Sequence, residues 1–213
     1  MNTEQLIAML ATQPQTAPAS ARRRFAIAIG LGAFAAALLM AIFLGVRHDL
    51  ADAARLPAFW GKVLFAACLA AGSLVAAARL SRPGVRLAWA PGALAVPVAA
   101  MWLVAAIALA HAAPGERVEL MLGQTWRSCP GLIALLSAPV FVAVLWAMKG
   151  LAPTRLRLAG AAAGLLAGTT GALVYTLHCP ELAAPFVGSW YLVGMLMPAA
   201  AGALAGPRVL GWQ

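Results

Sequence analysis

Six runs of about 20 apolar residues decide what this chain can fold into, because each is long enough to cross the roughly 30 Å hydrocarbon core of a bilayer as an α-helix. The runs are 25–46, 58–78, 87–110, 131–148, 158–177 and 186–205. In lipid every backbone polar group must be satisfied internally, which leaves helices or a closed barrel. A barrel needs strands of about ten residues that alternate apolar and polar side chains, whereas these runs are apolar at almost every position. Composition agrees: 63% of the 213 residues are hydrophobic and 10% are charged, against about a quarter charged in a typical soluble domain. The expected fold is all-α, an integral membrane bundle of six transmembrane helices.

Orientation follows from Lys and Arg, which stay on the cytoplasmic side near span ends. With the N-terminus inside, Arg22, Arg23, Arg24, Arg79, Arg82, Arg86, Lys149, Arg155, Arg157 and Arg208 are cytoplasmic, while Arg47, Arg55, Lys62, Arg117 and Arg127 lie on or near the other face, ten against five. Both termini are therefore expected in the cytoplasm. Residues 1–24 form a cytoplasmic segment, and 25–213 a membrane domain with periplasmic loops 47–57, 111–130 and 178–185. The outer loops then hold all three histidines (His48, His111 and His178) and five of the six acidic residues (Asp49, Asp52, Glu116, Glu119 and Glu181).

The formal charge of +9 is dispersed in twos and threes at span ends, where it meets anionic lipid headgroups, so no nucleic-acid partner is expected. The first apolar run is longer than the hydrophobic region of a signal peptide and lacks a clear cleavage site; it is read as an anchor. Ahead of it, Asn2 or Thr3 can cap a short helix with Leu6, Ile7, Met9 and Leu10 at helical spacing. The stretch TQPQTAPAS that follows, residues 12–20, has the composition of a tether. Such an amphipathic helix either docks in a partner's groove or lies on the membrane surface.

Within the spans, Gly160, Gly164 and Gly168 recur every four residues and mark a face where another helix comes close. Pro97, Pro139 and Pro198 sit inside apolar runs, where a proline can kink a helix. No acidic residue lies at mid-depth, which disfavours ion or proton transport. Lys62, the one charge well inside a run, is read as snorkelling to the interface. Cys68 is read as a small core residue.

The remaining cysteines, Cys129 in SCPG and Cys179 in HCPE, fall in outer loops separated by two membrane crossings, so a 50-residue gap in sequence need not mean distance in space. Each precedes a proline, an arrangement that suits a helix start with the thiol at its positive end. Three chemistries remain open: a structural disulfide, a metal site with His178 or His111 completing Cys129 and Cys179, and a redox switch. A membrane thiol enzyme with His178 as base, or a small transporter, would use the same residues. No CxxC pair or haem signature supports catalysis, and no enzyme is expected.

With NTEQLIAMLA and its tether, FWGK at 59–62, SCPG at 128–131 and HCPE followed by Trp190 and Tyr191, ordered along six spans, the chain resembles the NrsF-type anti-sigma factors, negative regulators of sigma F. The resemblance implies a six-span bacterial inner-membrane protein that holds an extracytoplasmic-function sigma factor inactive in the cytoplasm. It implies that the N-terminal segment, here Leu6, Ile7, Met9 and Leu10, binds the sigma factor. It further implies that Cys129 and Cys179 are sensing thiols for heavy-metal or oxidative stress. Membrane lipid is the other partner, and no cofactor is expected beyond a regulatory metal ion at the cysteines.

Overall fold

The computed structural model describes residues 2–5, 18–151 and 153–211. The proposed docking residues Leu6, Ile7, Met9 and Leu10 lie outside them. The elements are α1 (Pro18–Phe43), α2 (Leu50–Ala53), α3 (Pro57–Leu80), α4 (Ala90–His111), α5 (Pro114–Leu122), α6 (Cys129–Lys149), α7 (Leu156–Tyr175) and α8 (Ala184–Val209), with no strand among the described residues. Six of these, α1, α3, α4, α6, α7 and α8, are long and apolar enough to span a membrane. They match the six runs read from sequence to within a few residues, except that α1 starts seven residues ahead of its run and makes helical residues 18–20 of the stretch read as a tether.

Proline sets where the helices begin. In α3, α4, α5, α6 and α8 a proline occupies the first turn, where its missing N–H is one the helix could not pair and its fixed φ suits helical backbone. Glycine shapes the turns after three helices: Gly45, Gly84 and Gly123 all have positive φ.

The centre of the bundle is α7. Of its apolar window 72% is buried, against 6% for α4 at the periphery. Between Ala159 and Gly171 its only large side chains are Leu165 and Leu166, and α8, α6, α3 and α1 all pack on it. A side chain at Gly160 or Gly164 would overlap the carbonyls of Gly202 and Pro198, and one at Gly202 or Gly206 would overlap those of Gly160 and Leu156. The stripe on α7 is thus half of a reciprocal seam, whose other half on α8 was not read from the sequence. On another face of α7, Gly171 lies against the Ser137 amide of α6 at 2.9 Å from where its Cβ would be. Thr169 and Thr170, buried in the same helix, satisfy their hydroxyls on the carbonyls of Leu165 and Leu166 at 2.9 and 2.8 Å, which removes the cost of placing them there.

Against the other side of the bundle α1 packs on α6, with Gly32 meeting the Val140 backbone. The outer surface of the bundle is apolar, with Leu31, Phe34, Leu64, Leu103 and Trp146 all exposed, as lipid contact requires. Two core clusters divide the interior. One includes Phe25, Leu80, Val144, Met148 and Ala159, close to the arginine-rich end. The second includes Met40, Phe65, Ile133, Tyr175 and Tyr191, together with Cys129 and Cys179.

Candidate functional site: a buried thiol pair

Two different chain geometries bring the cysteines together. Cys129 is the first residue of α6, after Ser128, and its amide donates to Thr125 O at 2.9 Å. Cys179 does not repeat that arrangement, in contrast to the expectation from HCPE. It follows the C-terminal end of α7, with its amide donating to Tyr175 O at 3.0 Å, and α8 starts only at Ala184. Pro180 therefore continues an irregular segment rather than opening a helix. Both thiols are unbridged, adjoin one another and have no exposed surface.

The 177–183 segment is tied down on several sides. Lys62 Nζ donates to the carbonyls of Cys179 and Glu181, both at 2.9 Å. Arg47 donates from its amide to Leu177 O at 3.0 Å and from Nη1 to Cys179 O at 3.2 Å. His178 Nδ1 meets Gly45 O at 2.9 Å. The Glu181 carboxylate accepts from the Gln124 amide at 2.7 Å and from Thr125 Oγ1 at 3.4 Å, next to Gly123, whose φ of 54° and lack of a side chain admit it. Glu181 thus links the segment bearing Cys179 to the turn that leads into Cys129.

Lys62 overturns its sequence reading. Rather than snorkelling, it is 1% exposed, in the second turn of α3. Its ammonium also lies 5.5 Å from the centre of the Tyr191 ring. Cys68 is corrected as well: it is exposed on the outer surface instead of packed in the core. Tyr191 is placed by a π-helical turn over Val187–Tyr191, a feature found often at functional sites. This turn also directs Trp190, which stacks on Trp126 at 5.3 Å and donates to Met121 O at 2.9 Å.

Charge is distributed unevenly over the pair. The hydrogen bond with Cys129 pulls the Cys179 thiol below the ordinary thiol range; burial opposes this, and the Lys62 ammonium and the Glu181 amide assist. Arg47 is balanced locally, because two bonds of 2.7 and 2.6 Å to Asp49 hold that carboxyl down at about 2. A metal centre is not assembled: among the described residues no group of three His, Cys, Asp or Glu side chains is placed to hold an ion. His178, named as a ligand with Cys129 and Cys179, turns Nδ1 to Gly45, and His111 ends α4.

Residues 10–212 match the family described as "Negative regulator of sigma F". The chain belongs to the NrsF family. It is 60% identical to the "Probable anti-sigma-F factor NrsF" of Azospira oryzae over 213 residues, and 40% identical to the "Anti-sigma-F factor NrsF" of Caulobacter vibrioides over 218 residues, with 100% of both chains covered in each case. No solved structure matches. NrsF is a family of regulators rather than enzymes. The thiol pair of this NrsF chain is therefore read as part of a regulator.

The partners that sequence reading missed are Lys62, Arg47, Tyr175 and Tyr191. One signal was available, since an ionisable residue inside a membrane run is by default a functional candidate, and Lys62 is the only one well inside a run here. Glu181→Gln should test the link between the two cysteine segments. It replaces a charge-assisted bond with a neutral one and should loosen the link by about 1–1.5 kcal/mol. Exchange of the Gln124 amide should then accelerate roughly tenfold, with the fold intact; unchanged exchange would show that the carboxylate ties nothing.

Proposed function

We propose that this NrsF-family chain is a multi-pass anti-sigma factor of the bacterial inner membrane. Its cytoplasmic segment 1–24 holds an extracytoplasmic-function sigma factor through Leu6, Ile7, Met9 and Leu10. On the periplasmic side, Cys129 and Cys179 sense stress and trigger release. Both termini inside, as the ten-to-five split of basic residues favours, puts the docking segment and the thiols on opposite faces.

The observation that carries this reading is the meeting, in one buried cluster, of two thiols that are 50 residues apart in sequence. Of the two stress chemistries implied by family resemblance, oxidation needs only the pair. A tetrahedral metal site would need further donors that are not gathered there. Closing a disulfide draws the two Cβ atoms to about 3.8 Å and so pulls the start of α6 toward the end of α7. The glycine seam couples α7 rigidly to α8, and Gly32 couples α1 to α6. Because α1 follows the docking residues along the chain, through the stretch read as a tether, a shift of α6 that α1 shares is passed toward the sigma-binding segment. The disulfide favours release only to the extent that it fits the released arrangement better than the holding one.

The test is a pull-down of extracytoplasmic-function sigma factors on the full chain in nanodiscs, reduced and oxidised. Binding should require residues 1–17 and fall on oxidation. Leu6→Asp, which puts a charge on an apolar docking face, should weaken binding by at least about tenfold, the scale of an interface hot spot. Equal capture by reduced, oxidised and truncated protein would refute the proposal.

A further inference from the structure

We infer that the two thiols are chemically unequal and that Lys62 makes them so: Cys179 is the attacking sulfur, Cys129 is the resolving sulfur, and Lys62 is the positioning residue that fixes this order. The inference rests on the sensing role proposed above and assigns parts within it.

Three observations converge on Cys179. Both cations of the site bind its carbonyl, Lys62 at 2.9 Å and Arg47 at 3.2 Å. Of these two cations only Lys62 has no carboxylate in ion-pair contact, because Arg47 is paired with Asp49, whereas Lys62 takes part in neither of the salt bridges among the described residues and feels the Glu181 carboxylate only from beyond that range. A lone buried cation is costly unless an anion develops beside it. Finally, the Tyr191 hydroxyl is buried with no hydrogen-bond partner, and the group it faces is the Cys179 thiol. An orphaned donor of this kind gains its bond when that sulfur is anionic.

Cys129 has the competing advantage of a helix N-terminus. That effect is worth about 0.3–1 kcal/mol. An ammonium shielded from water and without a directly paired carboxylate outweighs it, because the same charge acts through a much lower dielectric. The order of attack therefore follows Lys62.

The oxidant we assign is an organic hydroperoxide. The thiols are closed to water, but a cavity of about 510 Å³ between α3 and α4 runs from the outer apolar surface to Lys62. Phe65, Cys68, Pro97, Met101 and Val187 are among the residues lining it, so an apolar peroxide can approach from the lipid side as far as Lys62, whose ammonium holds the Cys179 carbonyl. The Cys179 thiolate attacks the terminal peroxide oxygen; an S–O bond forms, the O–O bond breaks, and the alkoxide leaves as an alcohol with the proton that Cys179 gave up. The Cys129 sulfur then attacks the sulfenic sulfur, forming S–S and breaking S–O, and its proton leaves with the hydroxide as water. Two thiols are oxidised by two electrons, and one peroxide is reduced. The product has no thiolate, so Lys62 loses its counter-charge, and its hold on the 177–183 segment weakens as the disulfide forms.

The experiment treats the full chain in nanodiscs with tert-butyl hydroperoxide and dimedone, which traps sulfenic acid, and maps the adduct by peptide mass. In wild type and in Cys129→Ser, which keeps a hydroxyl donor toward Cys179, the adduct should sit on Cys179. In Cys179→Ser the yield on Cys129 should be at least about tenfold lower, the effect of one pKa unit on thiolate fraction. Alkylation of Cys179 by iodoacetamide should persist to lower pH than for an ordinary thiol. Lys62→Gln should raise that pH midpoint and cut the adduct about tenfold, and Lys62→Arg should restore both; a purely structural lysine would move neither midpoint. If the glutamine variant does not fold, the wild-type map still decides which sulfur attacks. A disulfide formed through a Cys129 adduct would overturn the inference and leave the sensor standing. Absence of any adduct or disulfide would overturn both.

Discussion

Replacing Cys129 and Cys179 together by serine should leave repression intact and abolish release of the sigma factor by oxidant. The reason lies in where the thiols sit. They belong to one buried cluster of the bundle, while the proposed docking residues precede α1 in sequence and are no part of that cluster. Serine is close to cysteine in size, and two hydroxyls placed side by side can bond to each other. The double variant should therefore cost only about 1–2 kcal/mol of stability and keep the holding arrangement. What it removes is the covalent bond that favours the released one, and nothing else in the cluster can supply it. A reporter driven by the sigma factor should stay at its basal level with and without hydroperoxide, while wild type responds. A variant that still induces would place the sensor elsewhere. One that is active without stress would mean that the thiols contribute to holding the partner.

Much of the fold was legible, and the reason is physical. Lipid provides no hydrogen bonds, so an apolar run of sufficient length must be a helix, and the six runs became six helices with small shifts at their ends. The seam was half legible. Three glycines in register on α7 stand out, and Gly202 and Gly206 on α8 repeat the four-residue spacing, but which two glycine faces meet is set by packing and not by either run alone. The site was legible as a pair of cysteines and illegible as an environment. Which carbonyls Lys62 reaches depends on how α3 packs beside the end of α7, and this cannot be read from spacing within α3. The same holds for HCPE: read alone, its proline suggested a helix start, but the Cys179 amide is already used by Tyr175.

Gly164→Leu should be the most damaging single change in the membrane domain. At this position α7 and α8 meet backbone to backbone: an added Cβ would overlap the Pro198 carbonyl and come within 2.8 Å of Ala199 Cα. Overpacking a well-packed core usually costs about 1–3 kcal/mol because side chains can yield; here the obstacle is main chain, so the helices must separate, and the cost should be at least about 3 kcal/mol. The neighbouring close approaches at Gly160, Gly202 and Gly206 belong to the same contact, and prying the helices apart at one point forfeits dispersion along all of it. Thermal unfolding in detergent should show a large loss, and little protein should accumulate in the membrane. Gly30→Leu is the control, because nothing lies within 4 Å of a Cβ there, and it should be near neutral. Gly164→Ala, carrying the Cβ alone, should fall between them and decide function as well as stability. Any splaying of α8 from α7 moves Tyr191 away from Cys179, so this variant should lose part of its response to oxidant while still folding. If Gly164→Leu unfolds no earlier than wild type, α7 and α8 do not meet as described, and the rigid coupling invoked to carry a signal from the thiols across the membrane goes with that contact.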